Sequence, residues 1–432
     1  RLRPFRHRRF FCPPYTMSLL RAFFSRFPAQ YWLMTSGVFL STLGGSMIGP
    51  FLLIYASQKS GLPLRTVASL VSINAATGLV ASLLAGSLAD RFGRKGIMNL
   101  SLTVNAFAYL LMRGAESYPE FAALMILTGL FSPLYQVGAD AMLADLIPSE
   151  QRADAYAITR VVNNAAFAIG PAIGGFMAAR SYDLAFLGTF SGLMSYSLML
   201  FFLGRETLRQ GLAADSHAGY TQVLRDGHYL LFIALLSLGL IAPSLLWILL
   251  SVYVKTHFGI PENLYGWIPA TNALMCVFLQ YSVTRWTRRL PDLNAIALGM
   301  LVYALGVGSV AWMRSFWGFW LSMVIMTFGE LILVPRASKY VADLAPEALR
   351  GRYMSLYWLG WGLARTAAPL IGGALHDFIS PQAIWHGGFL LGLISTAGLL
   401  GLAHFPVPGK HEEPLPAKSA GAFSRSRPPG AP

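Results

Sequence analysis

Two charged residues stand where charge is costly. Glu330 lies in "FGELILVP" (328–335), thirteen residues before Asp343, and Arg365 lies fifteen residues after Arg350, both inside long apolar runs. At about 1.5 Å of rise per helical residue, each Cα reaches roughly 20 Å from the polar end of its segment, near the centre of a bilayer. A carboxyl there, facing a cavity that is alternately wet and dry, could load and release a proton near neutral pH, because desolvation disfavours its charged form. The other reading is a fixed Glu330–Arg365 pair that only ties two helices together. Asp140 and Arg160 flank one short loop at comparable depth. They could pair as an inner gate or simply stabilise a helix hairpin. The polar and aromatic residues Gln136, Asn164, Asn272, Trp247, Tyr303 and Trp361 are candidates for lining a cavity. Singly, such aromatics suit packing or interface anchoring; together they suit a site that stacks flat or cationic organic molecules.

The elements that hold these residues follow from composition. Hydrophobic residues make up 55% of 432 positions and DEKR only 12%, about half the charged share of a soluble domain. Apolar segments of membrane-spanning length recur near 30–56, 64–89, 97–114, 120–146, 152–179, 183–204, 228–254, 264–285, 293–313, 317–343, 351–376 and 384–404. The expected fold is an all-α membrane protein with twelve transmembrane helices. Its predicted organisation is a basic tail (1–29), a six-helix half (30–204), a linker (205–227), a second six-helix half (228–405) and a tail (406–432).

The two halves read as one duplicated unit. A shift of 198 residues lays "ADLIPSEQRADAYAITRVVNNAAFAIGPAIGG" (144–175) on "ADLAPEALRGRYMSLYWLGWGLARTAAPLIGG" (342–373). Basic residues concentrate in the loops on one side, which predicts cytoplasmic termini. That topology signal and the Arg-rich tails account for the net charge of +14 without nucleic acid. The bases before Met17 weakly suggest a transit peptide, and Met17 is the expected natural start. Cys12 and Cys276 support no disulfide framework, the eight histidines show no ligand spacing, and no metal or cofactor is expected. No phosphate-cradling loop supports ATP-driven transport.

Two motifs punctuate the repeat. "GSLADRFGRK" (86–95) packs one acid and three bases into a tight glycine-flanked turn. "GPAIGG" (170–175) and "APLIGG" (368–373) place proline and small residues on one face of the fifth and eleventh spans. Gly170, Pro171, Gly174, Gly175, Pro369, Gly372 and Gly373 read first as a helix-packing device, with proline bends and close approach to the facing half.

These motifs and the twelve-span duplication resemble the major facilitator superfamily, and within it the drug/proton antiporters, including the LmrP-like and MdtH-like multidrug exporters. The resemblance covers about residues 30–405. It implies that Asp90 sits at the N-terminus of the eleventh span near Gly351, where free N–H groups attract a carboxylate. Gly86 would permit close helix approach. With Gly93 at the turn, Arg94 would pair with Asp145, and the set would form a breakable cytoplasmic latch between the halves. Arg91 and Lys95 need do no more than set orientation. LmrP-like exporters also carry a functional acid midway along the tenth span, matching Glu330. Many proton-coupled relatives have arginine and glutamine where this chain has Met125 and Thr128, which moves the expected proton handling to Glu330.

The expected function is therefore secondary active transport: proton-coupled export of hydrophobic or cationic organic compounds by a rocker-switch, with no enzymatic activity. The expected setting is a monomer in a bacterial inner membrane, its partners the organic substrate, protons and lipid. The alternatives are an uptake symporter or uniporter for a small nutrient, and a non-transporting sensor or scaffold.

Overall fold

The computed structural model describes residues 25–148, 151–207, 222–346 and 349–405. The expected tails, residues 1–24 and 406–432, lie outside these, as does most of the expected linker. Among the described residues twelve long helices follow one another: α1 (Ala29–Ser60), α2 (Leu64–Phe92), α3 (Arg94–Met112), α4 (Tyr118–Leu146), α5 (Arg152–Arg180) and α6 (Tyr182–Leu203), then α7 (Gly227–Phe258), α8 (Trp267–Thr287), α9 (Asp292–Ser309), α10 (Phe316–Leu344), α11 (Arg350–Phe378) and α12 (Ala383–Leu402). Nine of them are long and apolar enough to cross a membrane by length and composition alone. The other three, α3, α8 and α11, are diluted by polar residues, and two of these three supply Asn272 and Arg365.

Short turns force sequential helices to alternate direction. Gly61 ends α1 in the left-handed region at φ 66°, a conformation open to glycine at little cost. At the start of α4, Ser117 and Glu120 form a reciprocal capping box that satisfies backbone donors freed by the turn. We call the face carrying Gly93, Ile147 and Gly204 proximal and the opposite face distal.

The packing carries the duplication into three dimensions. In the first half α1 packs on α5 and α6, α2 on α4, and α3 on α4 and α6. Adding six to every number gives the second half: α7 on α11 and α12, α8 on α10, and α9 on α10 and α12. The halves meet through α2 on α11 and α5 on α8, and these two seams are images of each other under the same rule. This is the parallel-repeat plan in which a central site lies between the halves.

One expected span is broken. The sequence reads 30–56 as a single run, but α1 tightens into a 3-10 turn at Gly49–Phe51. Pro50 has no N–H to donate and its ring crowds the preceding turn, so the helix bends where Gly45, Gly49 and Pro50 face the central cavity.

Candidate functional site

The distal ends of the halves are sealed by backbone contact. A Cβ at Gly175 would lie 2.4 Å from the Glu262 carbonyl oxygen, and one at Gly266 would lie 2.3 Å from the Pro171 carbonyl oxygen. Gly373 likewise lies against the Arg65 backbone, whereas Gly170 and Gly174 pack on Ser46, Leu43 and Met47 of α1 in their own half. Gly372 meets Leu245 and Leu249 within the second half, and Pro369 is buried beside it. Polar bonds cross the same seams. The Arg65 amide donates to Asp377 (3.2 Å), the Ser72 hydroxyl to the Thr366 carbonyl (2.7 Å), and the Tyr182 hydroxyl to Glu262. Glu262 also accepts from Lys255 at 3.0 Å. Burial pushes this carboxyl up, but the Tyr182 hydroxyl and Lys255 outweigh it and hold Glu262 below its ordinary value of 4.5.

Beneath the seal lies a cavity of about 580 Å³ between the halves. Trp247, Tyr303, Trp361, Tyr265 and Phe167 supply its aromatic wall, and Glu330 and Arg365 its charges. The volume and lining suit a drug-sized organic molecule. Of the cavity candidates in the sequence, Trp247, Tyr303 and Trp361 lie on this wall and Asn272 stands behind it. Two do not belong to it. Gln136 is exposed and donates to Asp140 (3.1 Å) one turn along its own helix. Asn164 yields its place to Asn163, which accepts from the cavity residue Thr42 at 2.7 Å.

The expected charge pairs are rearranged. Glu330 does not pair with Arg365; its Oε2 accepts from the Asn272 side chain at 2.8 Å. The second amide hydrogen of Asn272 goes to the Thr327 hydroxyl (3.0 Å), which spends its own hydrogen on the Met323 carbonyl (2.7 Å). Thr327 is therefore an acceptor toward Asn272, and the amide nitrogen is fixed toward Glu330. Among the described residues no carboxylate pairs with Arg365, which opens into the cavity. Asp140 and Arg160 do not pair with each other either. The carboxylate of Asp140 is taken by Gln136, while Arg160 lies on α5, the helix that packs on α8 of the other half.

Arg160 lies eight residues into α5, about 12 Å from its proximal end, and is exposed. Glu330 lies deeper. Arg160 thus stands to the proximal side of Glu330, while the distal side is shut. Sequence reasoning missed Cys276 in this neighbourhood; its position one helical turn after Asn272 was the available signal.

The 86–95 turn is also redistributed. Arg94 pairs with Asp145 and donates to the Ala141 carbonyl (3.0 Å), but both partners belong to the first half, so this pair does not bridge the halves. Gly86 and Asp90 lie on α2, and α11 starts at Arg350; the side-chain surroundings of Gly86, Asp90 and Gly351 fall outside the described residues. The carboxylate that caps a helix N-terminus here is Glu206, which accepts from the amides of Arg94 (3.1 Å) and Lys95 (3.0 Å). Gly93 has φ 83°, and a Cβ there would meet Glu206 at 2.6 Å. Lys95 does more than set orientation: its ammonium donates to the Phe201 and Gly204 carbonyls at the end of α6. The Arg91 guanidinium rests over the Phe92 ring at 5.4 Å.

Comparison with known proteins agrees with this architecture. The family model for the Major Facilitator Superfamily matches residues 34–246 and 241–429. A Na(+), Li(+), K(+)/H(+) antiporter of Planococcus maritimus is 28% identical, covering 77% of this chain and 86% of that protein. The quinolone resistance protein NorA of Staphylococcus aureus is 24% identical, covering 81% and 90%. A solved bacterial homologue of the human lysosomal transporter Spinster superposes with a TM-score of 0.72 at 11% identity, covering 91% of this chain and 98% of that one.

Proposed function

This chain belongs to the Major Facilitator Superfamily and is a secondary transporter, and from that premise we propose that it exports amphiphilic organic compounds in exchange for protons. The observation that carries the reading is Glu330: one carboxylate in an aromatic cavity closed distally, held by Asn272 of α8, the helix that packs on α5 of the other half. Protonation removes the charge of Glu330, so proton loading weakens its long-range attraction to Arg160 across the rocking boundary. A cationic substrate competes with the proton for the same carboxylate, which makes the exchange obligatory. The names of two relatives, a cation/proton antiporter and a drug-resistance protein, support the same direction. The termini and the proximal face are then cytoplasmic, in a bacterial inner membrane, and a single copy suffices.

A second reading concerns substrate charge. Arg365 enters the cavity with no described carboxylate partner, and an unpaired guanidinium in a desolvated site favours a substrate that brings an acid. A zwitterionic aromatic compound would place its amine on Glu330 and its acid on Arg365.

The test is proton flux in proteoliposomes, under an imposed pH gradient, against a panel of cationic dyes, zwitterionic aromatics, sugars and alkali cations. Proton movement evoked by the aromatic compounds supports the proposal. Movement evoked only by sugars or by alkali cations overturns it.

A further inference from the structure

At the distal face, away from the cavity, two histidines distant in sequence meet. His257 lies in the last turn of α7 and His376 in the last turn of α11, and their Nε2 atoms are 3.1 Å apart. Nδ1 of His376 faces Asp377 Oδ1 at 2.7 Å. An ionised carboxylate only accepts, so Nδ1 carries the proton and Nε2 turns its lone pair toward His257. A carboxylate on the far nitrogen is the arrangement that orients and strengthens a metal-ligating imidazole. Two nitrogens bound to one ion at about 2.0–2.1 Å stand about 2.9 Å apart at a right angle and about 3.3 Å apart at the tetrahedral angle. The observed separation falls between the two.

The surroundings also suit a cation. Free carbonyls at the ends of α7 and α11 give this face a negative potential. Of the neighbouring positive groups, Lys255 is held by Glu262 at 3.0 Å, and the Arg65 guanidinium lies over the Phe378 ring at 5.0 Å. Among the described residues no third His, Cys, Asp or Glu completes a larger ligand group, so water would fill the remaining positions.

We propose that His257 and His376 form a binding site for a divalent transition-metal ion such as zinc, supported by Asp377. Binding would also reach the transport cycle. Asp377 accepts the Arg65 amide from the first half, so an ion that fixes His376 and Asp377 strengthens the distal seal and slows its opening.

The test uses full-length protein purified without a histidine tag and titrated with cobalt(II), then with zinc to displace it. The expected result is one cobalt per chain with a visible absorption band, lost in His257→Gln and in His376→Gln. Asp377→Asn should weaken binding by about 10- to 100-fold, and His386→Gln should leave it unchanged. Absence of a cobalt complex in the wild-type protein, or its survival in either glutamine variant, overturns the proposal. Should the glutamine variants fail to fold, an unchanged affinity in Asp377→Asn overturns it equally.

Discussion

Gly175 and Gly266 offer a direct test of the distal seal. A methyl group at Gly175 would stand 2.4 Å from the Glu262 carbonyl oxygen, and one at Gly266 would stand 2.3 Å from the Pro171 carbonyl oxygen and 3.0 Å from its carbonyl carbon. Ordinary contact begins near 3.4 Å, so the intruding carbon lies about 1 Å or more too close to backbone that has no side-chain freedom to yield. Overpacking of this kind costs about 1–3 kcal/mol. The cost falls only on the distally closed state, because each contact joins the two halves, so Gly175→Ala or Gly266→Ala should shift the equilibrium toward distal opening by about 5- to 150-fold. The assay places a reporter thiol at Thr42, on the cavity wall, in a background lacking Cys12 and Cys276, and measures its labelling by a membrane-impermeant reagent added from the distal side. Labelling should accelerate within that range in the alanine variants. Gly45→Ala, whose added carbon would meet nothing within 4 Å, should leave the rate unchanged. Equal labelling rates in all four proteins would refute the claim that these glycines hold the seal.

The proximal turn and the distal carboxylate yield two more predictions. Gly93→Ala forces a non-glycine residue to φ 83° and drives its methyl group into Glu206; it should destabilise the protein by about 1–3 kcal/mol, read as a lower midpoint of thermal unfolding in detergent, and Glu206→Gln should lower the midpoint less. Glu262 is held below 4.5 in the closed state, so its contribution to closure is complete above that value and disappears as pH falls through the lower, closed-state value. Glu262→Gln should therefore raise distal labelling of the Thr42 thiol at neutral pH, while the wild-type rate stays flat from pH 8 to about 5 and rises only below about 4.5.

The sequence revealed what is local and what is repeated. Span lengths, the shift of 198 residues and the depth of Glu330 follow from apolar run length and helical rise, and helix boundaries fell within a few residues of expectation. The break at Gly49–Phe51 was signalled by Pro50 alone, and a proline within a membrane helix does not say whether the helix bends or tightens. Partnerships were less legible. Asn272 and Glu330 are 58 residues apart, and two depths in one bilayer do not reveal which faces of α8 and α10 turn toward each other. Arg365 matched Glu330 in depth and faces the same cavity, but the two line it without pairing. Asp140 found a glutamine at its own helical spacing, which no loop-flanking argument for Arg160 could override. The meeting of His257 with His376 depends on the parallel packing of α7 on α11, a product of tertiary structure.

Proton counting at Glu330 tests the central claim most directly. Purified protein in weakly buffered solution with a pH indicator is given a saturating cationic substrate, and binding is followed in parallel by quenching of tryptophan fluorescence. Wild-type protein should release about half a proton per substrate bound at the pH at which the carboxyl is half loaded, rising toward about one as the pH is lowered and the free site fills, whereas Glu330→Gln, folded and still quenched by a neutral aromatic ligand, should release none. Release of the same number of protons by the glutamine variant would contradict the account and shift the search to Asp140.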